Sequence, residues 1–179
     1  MPRELVWLDL EMTGLDPKRH RIIEIATIIT DSDLNVIAEG PDLVIHAHDK
    51  ILERMNDYVH EMHHRSGLLD EVRKSTITIE DAEDQTLDFL NEHLGTKYKP
   101  PLCGNSIGTD RRFLDAQMNS LERRLHYRVV DVSSIKELAI RWNPEMDAKM
   151  PPKMETHRAL DDIIESIEEL KFYRENLFK

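Results

Sequence analysis

The chain has 179 residues, of which 40% are hydrophobic and 33% charged, a composition typical of a folded globular protein and not of a disordered one. This length favours a single domain that spans residues 1–179. The formal net charge of −11 weighs against binding of long DNA or RNA, which needs many Lys and Arg contacts to phosphates, but leaves room for a small anion held through cations.

The number of cysteines and the length of the apolar stretches indicate the cellular compartment of the protein. Cys103 is the single cysteine, which excludes an intramolecular disulfide and a cysteine-based zinc site and fits a reducing environment. The first residues lead into a strand-like run without a signal-peptide pattern, and no apolar stretch approaches the ~20 residues of a membrane span. The sequence therefore predicts a cytoplasmic protein that does not interact with membranes.

The first half of the chain predicts three strands followed by helices. Residues 4–10 form an apolar, β-prone run and predict a buried strand whose last residues emerge at a loop. Residues 21–31 and 35–46 predict two more strands, so we expect an antiparallel meander. Further along, a capping box at residues 78–81 and a C-cap glycine at Gly95 predict a helix between them.

The second half alternates short strands and helices. The predicted elements are, in order, a strand at 101–104, a helix at 109–118, a strand at 128–132, a helix at 134–142 capped by Ser133, and a last helix at 157–175. Residues 143–156 contain three prolines and mixed charge, and we expect a mobile loop there. This order favours an α/β fold in which helices flank a mixed sheet.

Two acidic residues stand at the end of the first predicted strand. Side chains two positions apart on a strand point to the same face, so Asp9 and Glu11 can aim at one point while Leu10 faces the other side. Adjacent carboxylates repel each other and raise each other's pKa values, and a divalent cation between them removes the conflict. An isolated Asp-x-Glu is nevertheless more often an ordinary polar strand end.

Further residues extend this pair to a candidate catalytic set. Asp110 follows a strand–loop–helix passage, where α/β sheets place ligands, although an acid there is also a common helix-start residue. In the last helix, Asp161 and Asp162 are equal candidates from spacing alone. The unperturbed pKa of a histidine, near ~6.5, suits His157 to act as a general base, but a histidine at a helix start is also a common capping or exposed residue.

Taken together, these residues suit hydrolysis of a phosphodiester. Two Mg²⁺ or Mn²⁺ ions roughly 3.5–4 Å apart can clamp the attacking and leaving oxygens, and such hard cations prefer carboxylate ligands. Three or four acids from separate elements would hold the ions. His157 would take the proton from the attacking water.

Three segments carry a resemblance to a known family. Residues 9–15 (DLEMTGL), 104–114 (GNSIGTDRRFL) and 157–163 (HRALDDI) resemble the three exonuclease motifs of the oligoribonucleases, in the histidine-containing branch of the superfamily named for its four acidic residues. Residues 21–27 (RIIEIAT) and 127–138 (YRVVDVSSIKEL) also resemble that family, and the similarity runs from about residue 4 to residue 175. Three ordered motifs are far more specific than one Asp-x-Glu.

The resemblance implies a fold, an activity and a metal site. The fold is ribonuclease H-like, with a mixed five-stranded sheet flanked by helices. The activity is removal of nucleoside 5′-monophosphates from the 3′ end of RNAs of a few nucleotides, dinucleotides above all. The family spacing of histidine, four residues and aspartate selects Asp162 over Asp161. The resemblance thus implies two Mg²⁺ or Mn²⁺ ions, His157 as the base, and the metal ligands Asp9, Glu11, Asp110 and Asp162.

Members of the family also close the site around the 5′ phosphate of the substrate, which selects short RNA. The matching positions in this chain are His63, Ser106 and Ser133, and the adjacent His64 is an alternative to His63. Ser133 also has an ordinary reading as the cap of its helix.

Other substrate contacts are implied by the same resemblance. Arg128 and Tyr127 match residues that reach in from a second subunit, which implies a homodimer. Leu15 and Tyr58 match the positions that wedge against the bases, although Leu15 also reads as a loop anchor and Tyr58 as a half-buried aromatic. The position of Tyr58 is often tryptophan in the family, and either ring can stack on a base.

Two other functions are open at this point. A DNA or RNA exonuclease of broader specificity in the same superfamily would need a basic track for a long strand, which the charge of −11 disfavours. A non-catalytic nucleic-acid-binding or scaffold protein on the same fold would be expected to lack at least one metal ligand, whereas all four acids and His157 are present.

Overall fold

Five strands build one mixed sheet. The structure, a computed structural model, describes residues 4–152 and 156–178. The strands are β1 (Leu5–Met12), β2 (Ile22–Thr30), β3 (Val36–Val44), β4 (Leu102–Gly104) and β5 (Val129–Asp131), in the order β3-β2-β1-β4-β5 across the sheet. The first three strands pair antiparallel, whereas β4 runs parallel to β1 and β5 parallel to β4. The predicted meander and mixed five-stranded sheet are confirmed.

Helices flank this sheet throughout the described part of the chain. They are α1 (Asp49–Leu52), α2 (Asp57–Arg65), α3 (Leu68–Lys74), α4 (Ile79–Leu94), α5 (Gly108–Gln117), α6 (Asn119–Arg124), α7 (Val132–Trp142), α8 (Pro144–Asp147) and α9 (Ala159–Leu177). The predicted capping box begins α4, because the side chains of Thr78 and Asp81 each accept a hydrogen bond from the other residue's backbone N–H, and Gly95 ends the helix. None of the described helices combines the length and apolar character needed to cross a bilayer.

The central strand β1 separates two hydrophobic cores. The core on the side of α4, α5 and α6 receives Val6, Leu8 and Leu10. The core on the side of α7 and α9 receives Trp7, which is fully buried. Because side chains alternate along a strand, Asp9 and Glu11 lie on the α9 side of the sheet. The residue pattern of β1 thus decides which helix faces the two acids.

The last helix begins two residues later than predicted. His157 has a left-handed backbone with φ of 53°, and Arg158 is extended with φ of −125° and ψ of 131°. Neither conformation is that of an α-helix, so α9 starts at Ala159. His157 therefore lies in the turn before the helix and not on the helix itself.

Two other local predictions are wrong. A loop was expected at 143–156, but Pro144–Asp147 form α8, because the Asn143 side chain accepts from the Met146 N–H and proline suits the first helical position. Ser133 does not cap α7. Asp131 does so, and its Oδ1 accepts from the Ser133 N–H at 3.0 Å. Residues 153–155 lie outside the described residues.

Candidate active site

The carboxylates of β1 form the floor of the candidate site. Glu11 is 7% exposed and Asp9 is half-buried, on a strand whose neighbouring residues are packed on both faces. In the antiparallel pairing of β1 with β2, Glu11 stands directly opposite Glu24, another acid. Three acidic side chains are therefore concentrated at one end of two adjacent strands.

Asp110 joins this group from α5. It lies in the first turn of the helix, is 6% exposed, and its Oδ1 accepts a hydrogen bond from the Leu10 backbone N–H at 3.2 Å. Leu10 is the residue between Asp9 and Glu11, so this bond ties α5 to the strand position where the two acids project. Asp110 is thus a buried first-turn acid that contacts β1 and not a solvated helix-start residue.

His157 and Asp162 approach the same point from the start of α9. His157 lies in the turn before the helix, and Asp162 lies in the first turn of the helix. One possible ligand atom from each of Glu11, His157 and Asp162 lies within 4.8 Å of those of the other two. Asp161 lines the neighbouring cleft together with His157. Spacing alone did not distinguish the two aspartates, whereas the geometry brings Asp162 to Glu11, in agreement with the choice made from the family motif.

Burial and mutual repulsion raise the pKa values of the acids. Desolvation is the largest cause for Asp9, whose pKa rises well above its usual value, and the charge of Asp110 adds to it. Desolvation, followed by repulsion from Asp162 and Glu24, raises the pKa of Glu11 to about 9. Desolvation also raises the pKa of Asp110 to about 7. A bound cation would neutralise these carboxylates and offset the free-energy cost of their burial and mutual repulsion.

The donor set suits a hard divalent cation. Carboxylate oxygens are the ligands that Mg²⁺ and Mn²⁺ prefer, and His157 is the one nitrogen donor in the group of three that the described residues bring together. The residues that would hold the cation are Asp9, Glu11, Asp110 and Asp162. The reason that a cation suits this site is that its carboxylates are desolvated and repel each other.

Two clefts meet beside the acids. One, of about 1050 Å³, is lined by His157 and by residues of α2, and the other, of about 640 Å³, is lined by Glu11 and the loop after β1. Tyr58 lines both clefts and Leu15 lines the second. Both side chains are largely exposed, at 74% and 71%, and are therefore free to contact a base. Their exposure does not fit the ordinary alternatives, a half-buried aromatic for Tyr58 and a loop anchor for Leu15.

Ser106 and Ser133 meet at the start of α7. Their hydroxyl oxygens are 3.2 Å apart, and the Ser106 backbone N–H donates both to Ser133 Oγ at 2.9 Å and to Asp131 at 3.0 Å. Ser106 has a left-handed backbone, with φ of 51°. Asn105, which the sequence analysis did not select, accepts from the Ser133 hydroxyl at 3.0 Å and donates to Ser166 of α9. The two serines are thus part of one polar network.

His63 occupies a different environment from the one expected of an accessible phosphate ligand. Its ring is 0% exposed, its Nε2 is 2.9 Å from the Met12 carbonyl oxygen, and its Nδ1 is 3.8 Å from Glu11 Oε2. Desolvation lowers the pKa of His63 and favours the neutral ring, which then donates from Nε2 to the carbonyl. The alternative His64 is exposed and its ring stacks on that of His60.

Tyr127 and Arg128 lie at the edge strand of the sheet. Both are exposed, and the Arg128 guanidinium carbon is 5.4 Å from the centre of the Tyr127 ring. Neither residue is among those that line the two clefts of this protomer. Contact of these residues with a second subunit stays a prediction from the sequence.

Three residues of the site were missed by sequence reasoning about function. Glu24, Glu71 and Arg158 form ion pairs next to His157. A signal was present for Glu24, which is a charged residue inside the otherwise apolar run IIEIA and belongs to a segment that resembles the family. Glu71 gives no such signal, because it is one of many acids on helix surfaces.

Proteins of similar sequence are nucleases. The model of the family described as Exonuclease matches residues 6–170. The oligoribonuclease of Corynebacterium glutamicum (strain R) is 53% identical over 174 residues, which cover 97% of this chain and 80% of the relative. The oligoribonuclease of Vibrio vulnificus (strain CMCP6) is 54% identical over 177 residues, which cover 99% of this chain and 97% of the relative.

Solved structures of similar shape are exonucleases. The zinc-bound complex of Escherichia coli ExoI with single-stranded DNA matches with a TM-score of 0.77 at 15% identity and covers 100% of this chain and 42% of that chain. Exonuclease I from Methylocaldum szegediense matches with a TM-score of 0.68 at 19% identity, over 98% of this chain and 41% of that one. The chain spans about two fifths of these proteins. The likeness establishes the ribonuclease H-like fold expected from the sequence.

Removing one buried charge should stabilise the metal-free protein in a pH-dependent way. The pKa of Glu11 is 4.5 in its ordinary state and about 9 in the folded protein, so between these values the unfolded chain releases a proton that the folded chain retains. Stability contributed by the protonated group is complete below pH 4.5 and is lost as the pH rises toward 9. In EDTA, the melting temperature of Glu11→Gln minus that of wild type should therefore grow from pH 5 to pH 9.

The matched control for this measurement is Glu92→Gln, at an exposed position of α4. Adding Mg²⁺ or Mn²⁺ should raise the melting temperature of wild type, because the cation binds only the folded site, and should raise that of Glu11→Gln much less. A difference between Glu11→Gln and wild type that is the same at all pH values would contradict the raised pKa.

Proposed function

The chain belongs to the exonuclease family and, within it, to the oligoribonucleases, and from this premise we propose a 3′-to-5′ exoribonuclease that degrades very short RNAs, dinucleotides above all, to nucleoside 5′-monophosphates. The observation that carries the proposal is the convergence of Glu11, His157 and Asp162 within 4.8 Å, next to the half-buried Asp9 and the buried Asp110. We take residues 1–179 as one exonuclease domain, and the cytoplasmic location stays a prediction from the sequence.

In the proposed site, four acids hold two Mg²⁺ or Mn²⁺ ions. They come from β1, α5 and α9, and they are Asp9, Glu11, Asp110 and Asp162. When bound, the ions supply positive charge to the scissile phosphate and to the oxygens that attack and leave. Each acid lies on a regular element, and the Leu10–Asp110 bond ties α5 to β1, which holds the oxygens of Asp9, Glu11 and Asp110 in a set arrangement.

His157 is the proposed general base. Its imidazole accepts a proton from the water whose oxygen attacks phosphorus. The bond from phosphorus to the O3′ of the penultimate nucleotide breaks, that O3′ takes a proton from solvent water, and the last nucleotide leaves with the phosphate on its 5′ oxygen. The left-handed backbone of His157 turns the residue out of line with α9, next to Glu11 and Asp162. His157 lines the larger cleft, so its imidazole can contact a water molecule there as well as a cation.

The preference for short RNA is assigned to two side chains that line the clefts, to two serines at the start of α7 and to His63. Leu15 and Tyr58 are proposed to contact the bases, and Ser106 and Ser133 the 5′ phosphate. Contact between His63 and the phosphate requires movement of α2 or the loop after β1, since its ring is fully buried. The remaining proposed contacts, from Tyr127 and Arg128, would be made to the site of the other subunit in a homodimer.

Activity against RNA length tests the substrate assignment. A 5′-phosphorylated diribonucleotide and a 20-mer RNA should be compared at equal concentration, with Mg²⁺, with Mn²⁺ and with EDTA. We expect rapid release of mononucleotides from the diribonucleotide, much slower release from the 20-mer, and none in EDTA. A strong preference for the 20-mer, or for single-stranded DNA, would refute the assignment in favour of a broad exonuclease.

Asp110→Ala should abolish turnover of the diribonucleotide in Mg²⁺. The substitution removes one proposed ligand and also the acceptor of the Leu10 N–H, so the cation affinity and the arrangement of the acids are both lost. Asp115→Ala, which removes an exposed acid of the same helix, should leave the rate near that of wild type. An Asp110→Ala protein that is folded and fully active would exclude this site.

His157→Ala distinguishes a base from a metal ligand. Loss of a general base should lower kcat by about 10²- to 10⁴-fold, while Mn²⁺ binding measured by calorimetry persists. If Mn²⁺ binding is lost together with activity, His157 is a ligand and the assigned role is wrong.

A further inference from the structure

Glu24 is a buried acid of the site that the proposed metal-binding set does not use. It is 0% exposed and stands directly opposite Glu11 across the β1–β2 pair. Like charges directly opposite each other destabilise a sheet, and burial of a charge is costly unless the charge is paired and hydrogen-bonded. The position of Glu24 therefore requires strong partners.

The partners of Glu24 come from the segment just after His157. Its Oε1 accepts from Arg158 Nε at 2.8 Å and is 2.8 Å from Nη2, and its Oε2 accepts from the Ala159 backbone N–H at 3.0 Å. Ala159 is the first residue of α9, so this N–H has no acceptor within the helix. Glu24 thus fixes the start of α9 against β2, and both of its oxygens already accept hydrogen bonds from protein donors.

Glu71 of α3 holds Arg158 from the other side. Arg158 Nη1 and Nη2 donate to the two carboxylate oxygens of Glu71 at 2.9 Å each, a paired geometry that a planar guanidinium supplies and an ammonium does not. The Glu71 side chain is 48% exposed, whereas that of Glu24 is completely buried. Glu71 can therefore be substituted without disturbing the hydrophobic core, whereas Glu24 cannot.

These bonds fix the two residues that follow the left-handed residue His157, at the junction with α9. A non-glycine residue with φ of 53°, such as His157, persists only where its surroundings determine the conformation. Arg158 follows it directly, and the Arg158 carbonyl accepts from the Asp162 backbone N–H at 3.0 Å. A shift of Arg158 would therefore displace both His157 and Asp162 relative to Glu11.

We infer that Glu24 and Glu71 act through Arg158 as positioning residues, which hold His157 at the attacking water and Asp162 beside Glu11. The inference rests on the proposed function, since it assigns these residues to the same reaction. It separates the acids of the site into two groups, one that would hold cations and one that holds the polypeptide segment that carries the base.

The kinetic test uses Glu71→Gln, which keeps the size of the side chain and removes its charge. With the 5′-phosphorylated diribonucleotide, kcat should fall about 10- to 100-fold with little change in KM, and Arg158→Lys should behave alike because it lacks the planar fork. In a His157→Ala background, Glu71→Gln should cause a smaller loss than in wild type, because only the effect through Asp162 remains and residues that act as a unit are not additive. Glu168→Gln, which breaks the exposed Glu168–Lys171 pair on α9, is the matched control and should keep wild-type kcat.

A second measurement follows the segment without activity. Hydrogen exchange of residues 156–162 should become faster in Glu71→Gln and in Glu24→Gln and stay unchanged in Glu168→Gln. Wild-type kcat and exchange in Glu71→Gln, or a kcat loss that adds in full to that of His157→Ala, would overturn the inference. A wild-type protein that does not cleave RNA would instead overturn the proposed function, and the exchange rates would still decide whether Glu24 and Glu71 hold the segment.

Discussion

Electrostatic repulsion among buried carboxylates is the constraint on which the rest of the structure depends. Glu11, Glu24 and Asp110 are each at most 7% exposed, and each acidic neighbour makes the ionisation of Asp9 and Glu11 harder. Side chains that repel each other stay together only when their backbones cannot move apart. The two hydrophobic cores on either side of β1, with Trp7 and Leu8 fully buried, supply that rigidity.

The repulsion is resolved differently in the two halves of the site. Glu24 meets a permanent cation, because the guanidinium of Arg158 stays protonated at every pH at which the protein is folded. None of the described contacts gives Asp9, Glu11 or Asp110 a comparable arginine fork, although Arg158 reduces the raised pKa of Glu11. We therefore regard Arg158 as the fixed countercharge that keeps the site assembled, and an exchangeable divalent ion as the countercharge that the chemistry uses.

Local periodicity accounts for what the sequence predicts well. The alternation of β1 places Asp9 and Glu11 on one face, and the capping box and Gly95 set the limits of α4, because these features depend on residues close in the chain. The choice of Asp162 over Asp161 needed the family motif, since neighbouring helix residues look alike in spacing. The burial of His63 and the turn at His157 depend on packing that no local pattern contains.

The arrangement around Arg158 shows why such features escape local reasoning. Arg158 is 134 residues from Glu24 and 87 residues from Glu71 along the chain, and their meeting depends on the relative placement of β2, α3 and α9. The sequence does show that a glutamate interrupts the apolar run of β2, and a buried charge requires a partner. It does not show which of the 24 Lys and Arg residues is that partner.

The same distribution of charge bears on the length of the substrate. With a net charge of −11, the chain as a whole repels phosphates, and each nucleotide beyond the site adds a phosphate to that repulsion. A long strand therefore meets more electrostatic repulsion from the net charge than a dinucleotide does. On this argument, the net charge supports the proposed preference for very short RNA, in addition to the residues proposed to enclose the 5′ phosphate.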